Sequence, residues 1–422
     1  VSGARITPTE QCMMRRHYER VLDGRGEAPT PECADEDPPV YLSGECECRL
    51  TRCQAIRSLP ALPQQGDSPV KMPGPMHSRR HFLGASVAAA AAQFGMPSGA
   101  QAQSESEGPE AYSAVDPVTR PPFGPVKQIH AGDLNVGYVE AGPVSGQAVI
   151  LLHGWPYDIH SYVAVTPLLA AKGYRVVVPY LRGHGTTRFL SSKTPRNAQQ
   201  SAFAVDIIAL MDALGIDRTI LAGYDWGSRT GDIIAALWPE RCKALISATG
   251  YLITNVEANK KPSLPKDEWA WWYQYYFATE RGVLGLEKYR NDLAKLVWRF
   301  NSPTWNFDEA TFDRTAAAFR NPDYVSIVID NYRWRLGLAK GERRYDAIEK
   351  RLATAPVIEV PTITMDGAHD PFTPPGNGST YRKKFTGKYA HRTLNTGHNL
   401  PQEAPQAFAE AVVEVDGFSS RR

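Results

Sequence analysis

Residues 219–238 constrain the fold more than any other stretch of this 422-residue chain. Thr219–Ala222 is an apolar run suited to a buried strand, and Ser228–Trp238 carries helical patterning. Between them lies Gly223-Tyr224-Asp225-Trp226-Gly227. A potential nucleophile flanked at two residues by small ones is the layout of a sharp strand-to-helix turn, which pushes the central side chain out above a sheet. The glycines answer to the crowding of such a turn, where strand and helix backbones nearly touch. The plain alternative is that Asp225 only caps the helix, a common place for a short acidic side chain.

The surrounding pattern decides what kind of sheet this turn belongs to. Leu134–Val139 alternates, whereas Ala148–Leu152 (AVILL) is continuously apolar, as a strand buried on both faces would be. A helical stretch near 160–172 ends at Gly173, and Arg175–Val178 is the next strand. Phe203–Leu214 puts Phe203, Ile207, Leu210, Met211 and Leu214 on one helical face. Further strands fall at Ala244–Ala248, Thr362–Met365 and His391–Leu394, and a final helix near Gln402–Val415. Strands alternating with helices predict an α/β fold with a mostly parallel sheet covered on both faces. Residues 103–250 and 355–422 form this core. Residues 251–354 are crowded with aromatics, show helical patterning and no convincing strand, and read as a helical cap.

Three further features stand where strands end. His153-Gly154-Trp155-Pro156 follows AVILL, Asp370 follows the strand ending near Met365, and His398 lies in Thr396-Gly397-His398-Asn399-Leu400. Nucleophile, acid and histidine thus come in the chain order of α/β-hydrolases. Asp366 is a second candidate acid, with Asp370 preferred because it lies further along the loop toward His398. His184 and His369 have no evident partner.

HGWP, GYDWG and GHNLPQE together resemble the epoxide hydrolase and dehalogenase branch of the α/β-hydrolase fold, which uses an Asp nucleophile. The resemblance covers nearly all of residues 125–415. Tyr273-Gln274-Tyr275-Tyr276-Phe277 resembles the Y-Q-x-Y-F segment of epoxide hydrolases, and Asn331-Tyr332-Arg333-Trp334 their Y-R segment. The resemblance implies Tyr273 and Tyr332 as proton donors, against the plain reading of two aromatic core contacts. It also implies the backbone N–H groups of Trp155 and Trp226 as an oxyanion hole. His153, Trp272 and Phe277 are expected to contact substrate. One departure concerns the R-G-x-G loop, where Pro179-Tyr180-Leu181 precedes Arg182 and the acidic residue common in the family is missing.

The chemistry of the residues points the same way. A carboxylate is ionised at neutral pH and attacks saturated carbon without a base, giving an alkyl ester. Attack on an acyl carbon would give an anhydride, which argues against an esterase. An opening epoxide leaves a tethered alkoxide that needs a proton donor, and a phenol with pKa about 10 supplies one. His398, oriented by Asp370, would activate water on the ester. The nearest rival is a haloalkane or haloacid dehalogenase using the same Asp–His–Asp set. Trp226 would suit a halide, although haloalkane dehalogenases often have Asn where this chain has Trp155. A more distant rival is a ligand-binding protein on this scaffold without turnover. No cofactor or metal is expected, and the oligomeric state is left open.

Composition bears on partners and on the N-terminus. With 47 basic against 45 acidic residues, the near-neutral chain lacks the basic surface that nucleic acid or an anionic membrane would need. It suits a small apolar organic substrate. Arg79 and Arg80 precede a short Ala-rich apolar run and the small-x-small site Ala100-Gln101-Ala102, so residues 76–102 resemble a twin-arginine export signal. That predicts contact with export machinery, a periplasmic or secreted enzyme and no stable membrane anchor. Residues 1–75 hold five of the six cysteines and show no sustained apolar period. They read as upstream sequence that is non-native or disordered. The competing reading is a small metal site from Cys46, Cys48 and Cys53 with Cys12 or His17, but it lacks paired C-x2-C knuckles.

Overall fold

The computed structural model describes residues 123–372 and 378–419. The cysteine-rich segment, the expected export signal and residues 103–122 of the expected core lie outside these.

The strands are β1 (Lys127–Ala131), β2 (Leu134–Ala141), β3 (Ala148–Leu152), β4 (Arg175–Pro179), β5 (Arg188–Phe189), β6 (Thr219–Tyr224), β7 (Cys242–Ala248), β8 (Thr362–Gly367) and β9 (Tyr389–Leu394). They form one sheet in the order β1-β2-β4-β3-β6-β7-β8-β9, with β5 paired to β2. Every pairing from β4 through β3 to β9 is parallel, and the β1, β2 and β5 corner is antiparallel. The continuously apolar runs sit at its centre, where β3 and β6 are buried along their whole length. Each such aliphatic side chain contributes roughly 1.5–3 kcal/mol by leaving water.

The core helices are α1 (Val165–Ala170), α2 (Gln200–Ala213) and α3 (Trp226–Leu237). The cap supplies α4 (Val256–Asn259), α5 (Pro265–Ala270), α6 (Trp272–Ala278), α7 (Glu280–Asn301), α8 (Glu309–Ala316), α9 (Tyr324–Arg335) and α10 (Asp346–Leu352). The chain closes with α11 (Leu400–Glu403) and α12 (Pro405–Ser419). Helix α3 packs on β6 and β7 and against α2, while α12 packs on β7 and against α1. No helix of the described residues is long and apolar enough to cross a membrane.

Several elements differ from the sequence expectation for local reasons. The helix expected near 160–172 splits into a 3-10 turn (Ile159–Tyr162), capped by the Asp158 carboxylate, and the short α1. The final helix breaks at Ala404, since Pro405 has no N–H to continue α11. Strand β1 is an edge strand of mixed polarity, mostly exposed, and carries no apolar run to announce it.

Candidate active site

Asp225 stands between β6 and α3 with φ 51° and ψ −120°. This is a sparsely populated conformation for a residue with a Cβ, costing roughly 1–3 kcal/mol. It lifts the carboxylate off the sheet edge. The turn closes only around glycine: a Cβ on Gly227 would meet the Leu152 carbonyl oxygen at 1.9 Å, and one on Gly154 would meet Asp225 Cβ at 2.6 Å. The Trp155 backbone N–H donates to Asp225 Oδ1 at 2.8 Å. Trp226 is the first residue of α3, so its backbone N–H has no intrahelical acceptor.

His398 reaches this carboxylate from the loop after β9. Its Nδ1 donates to Asp370 Oδ2 at 2.7 Å, and its Nε2 lies 3.8 Å from Asp225 Oδ2. Asp370 Oδ1 accepts the Phe372 N–H at 2.9 Å, which fixes the acid. Asp366 belongs elsewhere: its Oδ2 accepts from the Tyr381 hydroxyl at 2.7 Å. Burial opposes charge on His398, yet Asp370 and Asp225 outweigh it and hold the imidazole pKa up at about 10. Burial likewise works against the Asp225 carboxylate, and the His398 cation reverses it to a net lowering. At neutral pH the pair is therefore carboxylate and imidazolium. Glu403, which sequence reasoning passed over, gathers the histidine loop. It accepts from the Gly397 N–H (2.7 Å), the Asn399 N–H (3.1 Å) and the Ser302 hydroxyl (2.6 Å).

His153, expected to contact substrate, has both ring nitrogens turned to backbone instead. It is fully buried, its Nδ1 meets the Gly154 carbonyl at 2.9 Å, and its Nε2 accepts the Leu181 N–H at 3.1 Å. With both nitrogens engaged and burial pushing its pKa far down, it is a neutral strut between the HGWP and R-G-x-G loops. His184 packs edge-on against it at 4.9 Å, and His369 pairs with Asn395 at 2.7 Å. Asp206 on α2 ties down the R-G-x-G loop. It grips the buried Arg182 guanidinium through Nε and Nη2, both at 2.7 Å, while Nη1 donates to the Asn197 carbonyl.

From the cap, α6 and α9 bring Tyr273 and Tyr332 together, rings 5.4 Å apart and each 5.3 Å from Trp155. Both are buried. Burial first, and the Asp225 charge among the further causes, raise both phenol pKa values above the ordinary 10 and keep them protonated. Phe277 is fully buried against Trp155 at 5.5 Å and Tyr332 at 5.6 Å. Trp272 is only partly buried and packs behind Tyr273, rings 6.0 Å apart, rather than on the nucleophile. Phe372, absent from the sequence reading, sits 5.3 Å from His398 and 6.2 Å from Tyr273. The Trp226 indole N–H is buried without a partner.

The lining is not purely aromatic. Arg229 on α3 and Arg335 at the end of α9 are both buried. Arg229 donates from Nε to the Leu252 carbonyl at 3.1 Å. Burial, and next the charge of Arg335, pull its pKa down to about 10. Sequence reasoning missed both. A signal was present, since Arg229 follows Asp225 by four residues and Arg335 follows Tyr332 by three, the spacing that shares a helical face.

The family profile of the α/β hydrolase fold matches residues 147–405. The chain belongs to the α/β-hydrolase-fold family. A crystal structure of a candidate epoxide hydrolase from Klebsiella pneumoniae is 58% identical and superposes with a TM-score of 0.69, covering 70% of this chain and 98% of that one. Epoxide hydrolase 2 of Siraitia grosvenorii is 34% identical over 109 residues, 26% of this chain and 34% of its own length. Fluoroacetate dehalogenase of a Burkholderia species is 37% identical over 118 residues, 28% of this chain and 38% of its own length. The chain thus spans about a third of the length of these two curated relatives. It is an epoxide hydrolase-like α/β-hydrolase.

Proposed function

We propose that this α/β-hydrolase opens epoxides to vicinal diols through an Asp225 alkyl ester. The observation that carries the reading is that two buried, protonated phenols pack on the Trp155 ring, while the Trp155 backbone N–H holds the ionised carboxylate on the elbow. Asp225 attacks an epoxide carbon, the carbon–oxygen bond breaks, and Tyr273 or Tyr332 protonates the departing alkoxide. Loss of the Asp225 charge in the ester removes one support of the His398 cation, which gives its proton to the tyrosinate. Neutral His398 then takes a proton from water, and the hydroxide attacks the ester carbonyl. The N–H groups of Trp155 and Trp226 carry the oxyanion. Collapse releases the diol and restores carboxylate, imidazolium and phenol.

One observation favours a second reading. The buried, unpartnered indole N–H of Trp226 suits a halide leaving group, and one curated relative is a dehalogenase. Initial rates with a styrene-oxide-type epoxide, a haloalkane and fluoroacetate separate the two. Diol release that falls by ~10⁴-fold or more in Asp225→Ala supports the epoxide reading. Halide release without diol supports the second, and full activity in Asp225→Ala contradicts both.

A further inference from the structure

Behind the two tyrosines the cap carries a solvent-open cleft of about 300 Å³, with Gln274 and Arg335 buried at its base. Its walls include Asn259, Lys261, Asp267, Trp271, Gln274 and Arg335. Trp271 and Gln274 bracket Tyr273 in sequence, and Arg335 lies about one turn beyond Tyr332 on α9. The cleft therefore borders the same two tyrosine-bearing elements without including Asp225 in its walls.

Two of its wall groups are buried donors with nothing to bind. Gln274 is 4% exposed and its Nε2 has no hydrogen-bond partner. Arg335 is 7% exposed, its Nε is likewise unpartnered, and no carboxylate pairs with it among the described residues. Its guanidinium instead lies 5.0 Å from the centre of the Trp271 ring and 5.7 Å from that of Tyr332. A buried guanidinium without a counter-ion is costly, and the penalty is offset when an anion occupies the site. Guanidinium presents a planar fork that matches a carboxylate in two-point contact, and a primary amide beside it adds a third donor. Of the other lining residues only Lys261 and Asp267 are charged, with opposite signs, so the net charge of the lining is that of one cation. That balance fits a monoanion better than a phosphate dianion.

We propose that this cap cleft is a carboxylate-binding site, with Arg335 and Gln274 as its ligands. The same chemistry is offered by an acid group on the substrate itself and by a separate small carboxylate. The activity arm below rests on the epoxide-opening reading, whereas the binding arm does not. An acid group on the substrate would anchor its tail behind Tyr332 and Tyr273 while the epoxide meets their hydroxyls. It would replace the wholly uncharged substrate that the near-neutral composition suggested.

The test uses the full chain, titrated calorimetrically with butyrate and with neutral butyramide. Butyrate is expected to bind at least tenfold more tightly than butyramide, with that difference lost in Arg335→Met and partly restored in Arg335→Lys. Gln274→Leu, a milder change, should weaken butyrate severalfold and guards against a misfolded arginine variant. A medium-chain epoxy acid and its methyl ester are then compared by kcat/KM. A tenfold preference for the acid that disappears in Arg335→Met assigns the site to the substrate's own carboxylate. Equal turnover of acid and ester with butyrate still bound assigns it to a separate carboxylate. Butyrate binding no tighter than butyramide, with no acid preference, overturns the proposal. Failure of both epoxides to open, with butyrate bound, overturns the epoxide reading and leaves the carboxylate site standing.

Discussion

The core half and the cap half of this site are built on opposite principles. In the core, the atoms that orient the catalytic groups are committed, the buried Trp226 indole N–H standing as the exception: Asp225 Oδ1 to the Trp155 N–H, both Asp370 oxygens to His398 and Phe372, both His153 nitrogens to backbone. In the cap, Gln274 Nε2 and Arg335 Nε are buried without partners. A saturated network cannot easily bind anything new, but it holds reacting groups in place. An unsaturated one is poor for stability and suited to a ligand that completes it. The contrast assigns bond-making to the core and recognition to the cap, with Tyr273 and Tyr332 as the exceptions that cross over.

That crossing is where the comparison breaks most easily. Tyr273→Phe with Tyr332→Phe should lower epoxide opening by ~10²–10⁴-fold, the usual contribution of a positioned general acid. Any halide release should survive, because halide needs no proton. Pre-steady-state ester formation is the measurement. Equal loss of both activities would mean that the tyrosines only shape the pocket.

The next effect concerns core rigidity. Asp206→Ala leaves Arg182 buried and uncompensated, and the expected destabilisation is about 3–5 kcal/mol. A thermal or urea unfolding curve reads it directly. A loss below 1 kcal/mol would show that the R-G-x-G loop does not depend on this ion pair.

The smallest effect is electrostatic. Asp225→Asn removes one of the two carboxylates facing His398, so its titration, followed by imidazole NMR, should fall from near 10 by about one to three pH units. The linkage has a definite sign. A histidine held above its ordinary 6.5 stabilises the fold fully below that pH, and the stabilisation is lost as pH rises toward about 10. Wild-type stability should decline across that window, and Asp225→Asn should decline at lower pH.

The same division explains what the amino-acid sequence disclosed. The core chemistry is legible because each piece is local: AVILL, GYDWG and the His398 loop each carry their own strand or turn signal. Fully buried strands read as unbroken apolar runs, whereas the polar edge strand β1 has no such signature. The acceptor role of His153 toward the Leu181 N–H spans 28 residues and leaves no local trace in the sequence. Arg335 was hidden for a related reason. An arginine at a helix end ordinarily reads as solvated, and only the packed cap reveals that it is buried beside Tyr332 without a counter-ion.

The central claim is a covalent ester on Asp225, and one measurement addresses it most directly. Excess enzyme is reacted with an epoxide for a single turnover in isotopically heavy water, then digested and weighed by mass spectrometry. The ester route predicts heavy oxygen in the peptide carrying Asp225 and an unlabelled diol, because water attacks the ester carbonyl and the diol oxygen comes from the carboxylate. Heavy oxygen in the diol with Asp225 unlabelled would mean that water attacks the epoxide directly, and the account would be wrong.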